Sequence, residues 1–156
     1  MPTEAIIEGV AEPQPPLPRG RKVAKVLLVD SDLASRLTLK SLLAKAGYAV
    51  EGAASAAEAI SKLDCHEFQL VLADLRTESE DAGPSLLSFA RQKKYRPATA
   101  LISSDMKELK SESPMTHGAD RVVSMSNEDV SNLLANVAEL ISLRADRRMR
   151  RAHSLT

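Results

Sequence analysis

The stretch VAKVLLVDSD, residues 23–32, decides the fold. From Val23 to Val29 it is apolar with one break, at Lys25, and it then ends abruptly in Asp30, Ser31 and Asp32. A strand covered on one face alternates apolar and polar residues. A near-continuous apolar run marks a strand buried on both faces, as in a parallel sheet. Phe68 to Ala73 repeats the pattern and also ends in an aspartate, Asp74.

Helical and strand patterns alternate on either side of these two runs. Leu39, Leu42, Leu43 and Ala46 share one helical face, and Gly47 stands where a helix stops in a left-handed residue. Tyr48 to Val50 reads as a short strand. Ser55 and Glu58 have capping-box spacing ahead of Ala56, Ala59, Ile60 and Leu63. Pro84 suits the first turn of a third helix, with Leu86, Leu87 and Ala90 behind it. Ala98 to Ile102 is a fourth strand. Residues 105–117 are weakly helical and limited by Pro114, and Arg121 to Val123 is a fifth strand. Val130, Leu133, Leu134, Val137, Leu140 and Ile141 form the last helical face. Alternation of this kind predicts an α/β fold, with a parallel sheet covered on both faces through right-handed crossovers.

Three regions follow. Residues 1–21 are a proline-rich tail without apolar periodicity, 22–143 form the folded domain, and 144–156 are a basic C-terminal extension. A formal net charge of zero gives the whole molecule no pull toward nucleic acid or anionic membrane. One cysteine, Cys65, excludes an internal disulfide and fits a reducing compartment. With no signal-peptide pattern at the N-terminus and no apolar run near the ~20 residues of a bilayer span, the expectation is a cytoplasmic protein away from membranes.

In open parallel sheets, ligands bind beyond the carboxyl ends of the strands. Asp30, Ser31 and Asp32 follow the first strand, Asp74 the third, Ser103 and Ser104 the fourth, and Ser124, Met125 and Ser126 the fifth. Any one of these aspartates, taken alone, reads first as a helix or turn cap. Their convergence on one rim points instead to a site centred on Asp30 and Asp74. Two carboxylates there suit Mg²⁺, which prefers oxygen ligands and retains waters. A carboxylate beside such a cation can attack phosphorus.

With those residues in place, Lys22 to about Leu143 resembles the receiver domain of two-component response regulators. The matching pieces are KVLLVDSD (25–32), LVLADL (70–75), Gly83, LISS (101–104) and GAD (118–120). Each is weak alone; their order and spacing are specific. The resemblance implies a flavodoxin-like, doubly wound five-stranded parallel sheet in the order 2-1-3-4-5. It implies Asp74 as the phosphoacceptor, Asp30 as one of two acidic residues organising Mg²⁺, and Ser103 as the phosphoryl-sensing hydroxyl. It also implies a histidine kinase or phosphotransfer protein as donor, and a pairing face made by the fourth helix, fifth strand and fifth helix. Several positions depart from the family. The second acidic residue is Ser31, with Asp32 one place on as a possible substitute. The active-site lysine and its following proline fall on Met125 and Ser126, and the aromatic switch falls on Val122. The loop RTESEDAG (76–83) is one residue longer than usual and lacks a proline. Two functions remain open: a stand-alone phosphorelay receiver with a degenerate site, or a phosphorylation-independent pseudo-receiver that binds partner proteins. Either would be a signalling module rather than an enzyme. A flavodoxin-like enzyme lacks a glycine-rich phosphate loop and a nucleophile–base pair here.

His66, His117 and His153 have no metal-ligand spacing and read as surface residues, and Cys65 reads as inert packing. The arginines at 144, 147, 148, 150 and 151 read either as a solvated cluster suiting a helix C-terminus or as a docking arm for an acidic partner. Since a sheet-packed helix needs only about four turns, the turns beyond Leu143 are expected to project from the domain. Truncation there is expected to leave the melting temperature nearly unchanged. No helix-turn-helix pattern follows, which argues against sequence-specific DNA binding.

Overall fold

The computed structural model describes residues 23–74, 82–103, 119–124 and 130–154. The strands are β1 (Lys25–Val29), β2 (Ala49–Ala53), β3 (Leu70–Asp74), β4 (Ala98–Ser103) and β5 (Arg121–Ser124). They form one parallel sheet in the order β2-β1-β3-β4-β5. The helices are α1 (Leu33–Lys45), α2 (Ala56–Cys65), α3 (Ala82–Arg91) and α4 (Val130–Ser154). The weakly helical stretch 105–117 lies outside the described residues, so the C-terminal helix, fifth in the sequence reading, is α4 here.

Strand side chains alternate between two cores, as a period of two requires. Val26, Leu28, Leu70, Leu72 and Ala100 face α1 and α4, packing with Leu39, Leu43, Leu133, Val137 and Leu140. Leu27, Val29, Val71, Ala73 and Leu101 face α2 and α3, packing with Ala59, Leu63, Leu86, Leu87 and Ala90. Val26 to Val29 are fully buried, which is why the run is apolar at every position rather than at every second one.

Helix ends follow local chemistry. Asp32 caps α1, its carboxylate accepting from the Ser35 N–H at 2.9 Å, and Ser55 caps α2 by accepting from the Glu58 N–H at 3.1 Å. Glu58 reaches back to the Ala54 N–H at 2.9 Å, one residue before the cap. Gly47 (φ 104°) reverses the chain after α1, in a region L side chains adopt only under strain.

Four sequence expectations shift. β2 runs to Ala53 rather than Val50. It is an edge strand, and Glu51 stays in it at the surface by pairing with Lys25 (3.8 Å) and Lys62 (3.6 Å). Phe68 is buried, but it precedes the ladder instead of opening it. Ala46 and Cys65 are exposed rather than packed. Finally, α4 does continue past Leu143, yet its first arginine does not project. Arg144 is only 8% exposed, with Nε donating to the Arg96 carbonyl (3.0 Å) and Nη2 to the Tyr95 carbonyl (2.6 Å). This clamp fastens α4 to the loop before β4, so Leu143 is not the end of the packed helix.

Candidate functional site

The carboxyl rim is built by register. Val29 pairs with Ala73 across β1 and β3, so Asp30 and Asp74 leave adjacent central strands side by side. Asp74 in turn pairs with Ile102, which sets Ser103 one step further along β4, and Ser103 pairs with Ser124. The backbone thus gathers Asp30, Asp74 and Ser103 at one end of the sheet. The Ser103 side chain lies outside the described residues, as do Met125, Ser126 and the RTESED segment after Leu75.

Asp30 is buried at 4% exposure, whereas Asp74 is half-buried. The Asp30 N–H donates to the Ala53 carbonyl at 3.0 Å, and Asp30 Oδ1 accepts from the Asp32 N–H at 2.9 Å. Burial pushes the Asp30 pKa above the usual carboxylate value. The Asp32 N–H pulls it back, while the charges of Asp74 and Asp32 push it up against Arg36. Asp32 itself is exposed and turned into its capping bond, so it stands apart from the pair. Ser31, in the position of the second acid, is exposed at the turn between them.

One contributor escaped the sequence reading. Arg36 donates from Nη1 to the Asp30 carbonyl at 2.7 Å, and its stem lies on Gly52, where a Cβ would come within 3.2 Å of Arg36 Cδ. Gly52 therefore makes room for a cation behind the carboxylate pair. The sequence places Arg36 one turn beyond the Asp32 cap, but its approach to Asp30 depends on Gly52 in another strand.

Among the described residues, no group of three or more His, Cys, Asp or Glu side chains is arranged to hold a metal. His66 is exposed, edge-on to Phe68 with ring centres 6.4 Å apart. For Mg²⁺, the fit is that of two oxygen donors. The Asp74 charge disfavours the ionised form of Asp30, and a dication between the two would relieve that; among the described residues no third carboxylate joins them.

The raised Asp30 pKa has a definite sign in stability. Between the unfolded and folded values the native state holds the extra proton, so stability falls as pH rises through that window, and the penalty is complete above the folded pKa. Asp30→Asn keeps an oxygen acceptor for the Asp32 N–H and removes the charge. With Mg²⁺ chelated, it should melt higher than the parent at pH 7. The advantage should shrink on acidification and vanish near the ordinary carboxylate pKa. Melting curves across pH check this, and a lower melting temperature for the variant at pH 7 would refute it.

A doubly wound parallel sheet carrying an aspartate pair at its central strand ends defines the class of the molecule. The family model described as "Response regulator receiver domain" matches residues 26–138, well over half the chain, and the chain belongs to that family of two-component signalling modules. Among solved structures, a CheY-like receiver domain protein from Methanospirillum hungatei JF-1 aligns with a TM-score of 0.68 and 24% identity, over 81% of this chain and 99% of that one. The response regulator TrrA from Thermotoga maritima, in complex with Mg²⁺-BeF, aligns with a TM-score of 0.66 and 24% identity over 76% and 99%. The chemotaxis response regulator CheY4 of Vibrio cholerae aligns with a TM-score of 0.65 and 24% identity over the same shares. No curated protein sequence matches the chain. Among the described residues, no helix is long and apolar enough to cross a membrane.

Proposed function

We propose that this chain is a cytoplasmic phosphorelay receiver whose Asp74 accepts a phosphoryl group at a degenerate site. The observation that carries this reading is the β1–β3 register, which sets Asp30 and Asp74 side by side at the carboxyl rim, with Ser103 next along β4. The donor is a phosphohistidine on a histidine kinase or phosphotransfer protein. An Asp74 carboxylate oxygen forms the new P–O bond, the P–N bond breaks, and the imidazole leaves with the electron pair and takes up a proton. Asp30 and Asp74 would hold Mg²⁺, which neutralises charge on the transferring group. The similar structure from Thermotoga maritima is a complex with Mg²⁺-BeF, which supports carrying that ion over. Ser103 is the hydroxyl that senses the phosphoryl group, and the face formed with β5 and α4 is where a second copy or a partner protein docks. The domain is a signalling module, not a metabolic enzyme.

A second reading has its own support. Asp32 is committed to its cap, and Met125, not lysine, follows β5 directly. A thioether cannot replace an ammonium beside a phosphoryl oxygen. On this reading the domain binds partners without phosphorylation. Incubation with acetyl phosphate and Mg²⁺ followed by intact-mass measurement decides between the two. One added phosphoryl group, absent from Asp74→Asn, is the expected result. An unmodified parent under conditions that label a competent receiver overturns it in favour of the second reading.

A further inference from the structure

The strongest feature outside the aspartate rim lies at the opposite end of the sheet. Pro97, just before β4, and Asp120, just before β5, floor a cavity of about 160 Å³. Its walls carry six guanidinium groups: Arg91 from the end of α3, Arg96 from the loop that follows, and Arg144, Arg147, Arg148 and Arg151 from successive turns of α4. Among the described residues, Asp120 is the single lining carboxylate. Its Oδ1 meets Arg147 at 3.4 Å and Arg91 at 3.8 Å, while its Oδ2 accepts from the Thr99 N–H at 2.9 Å. Within the described lining, that one carboxylate, already bonded to backbone, stands among six guanidinium groups. In a chain of zero net charge, this is a concentrated local excess.

The cluster is held rather than splayed. Arg144 is clamped by the Tyr95 and Arg96 carbonyls, Arg148 reaches the Tyr95 carbonyl at 3.5 Å, and Arg147 rests on Asp120. Arg96 is a non-glycine residue at positive φ (41°), and the Arg144 Nε bond fixes its carbonyl. Backbone strain of this kind persists where surrounding contacts over-determine it. Burial, and then the charges of Arg148 and Arg147, depress the Arg144 pKa; Glu67, which is not among the lining residues, pulls the other way. Guanidinium forks match tetrahedral oxyanions two bonds at a time. The volume is below the roughly 300–1,000 Å³ of sites for drug-sized ligands, and it suits a compact anion.

We infer that this arginine cavity binds a multiply charged phosphate anion: pyrophosphate or the polyphosphate tail of a nucleotide. The site lies across the sheet from Asp74 and is independent of its phosphorylation. The whole chain should therefore be titrated calorimetrically with phosphate, pyrophosphate and ATP, in chelator and at low salt. Saturable one-site binding is expected, stronger for pyrophosphate than for phosphate. Equal affinity for pyrophosphate and ATP assigns the site to the free anion, and tighter ATP binding assigns it to the nucleotide. Arg148→Ala with Arg151→Ala should weaken pyrophosphate binding at least tenfold. Arg148→Lys with Arg151→Lys preserves charge and removes the forks, and it should also weaken binding. Asp74→Asn should bind like the parent. Absence of saturation, full affinity in either arginine variant, or loss of binding in Asp74→Asn overturns the inference.

Discussion

Ending the chain after Leu143 should lower stability by about 3 kcal/mol or more, because hydrogen bonds from a charged donor contribute roughly 1.5–3 kcal/mol each and two are lost together. Those two are the bonds from Arg144 to the Tyr95 and Arg96 carbonyls. The Arg147–Asp120 contact goes with them, though an exposed pair adds little. For a domain of this size, such a loss lowers the melting temperature by about 10 °C. Arg144→Ala in the whole chain should reproduce most of the effect. Ending the chain after Arg151, which keeps the clamp, should reproduce almost none. Thermal melts of the three proteins check the prediction, and parent-like melting after truncation at Leu143 would mean that the clamp carries no stability.

The sequence alone points to the opposite outcome. Periodicity reports apolar burial, and at Arg144 the apolar spacing has stopped. An arginine that packs its stem and spends its donors on loop carbonyls leaves no periodic mark. The partners are equally silent, since Tyr95 and Arg96 act through backbone oxygens. The sheet, in contrast, was legible almost to the residue. Val26 to Val29 and Leu70 to Ala73 are central strands, and central parallel strands write their burial into every position. The edge strand β2 was the least legible, because one-sided pairing tolerates Glu51 and Gly52. On the rim, Asp30 and Asp74 followed from their places after apolar runs. Arg36 did not, because its closeness to Asp30 depends on a glycine in another strand. Asp32 shows the limit of the reasoning: the same residue reads as cap or as ligand, and only geometry, the 2.9 Å bond to the Ser35 N–H, shows the cap.

Restoring two side chains should restore phosphoryl chemistry at Asp74. Ser31→Asp places a third carboxylate beside Asp30 and Asp74, at an exposed turn position that needs no repacking. One more charge near a dication at the protein surface contributes about 1–2 kcal/mol, so Mg²⁺ should bind roughly tenfold tighter than to the parent. Equal Mg²⁺ affinity would show that another group already fills the role. Met125→Lys adds a cation immediately after β5, whose last residue pairs with Ser103 on β4. A positioned donor at a developing oxyanion changes rates by about 10²–10³-fold, so labelling of the double variant by acetyl phosphate should accelerate on the order of a hundredfold. The acceleration should vanish when Asp74→Asn is added, since the new groups act only through that carboxylate. Time courses of intact mass for the parent, each single variant and the double variant provide the measurement. If the double variant labels no faster than the parent while binding Mg²⁺ more tightly, the metal is not the obstacle. The proline-free RTESED segment that follows Leu75 would then be what keeps the donor from Asp74.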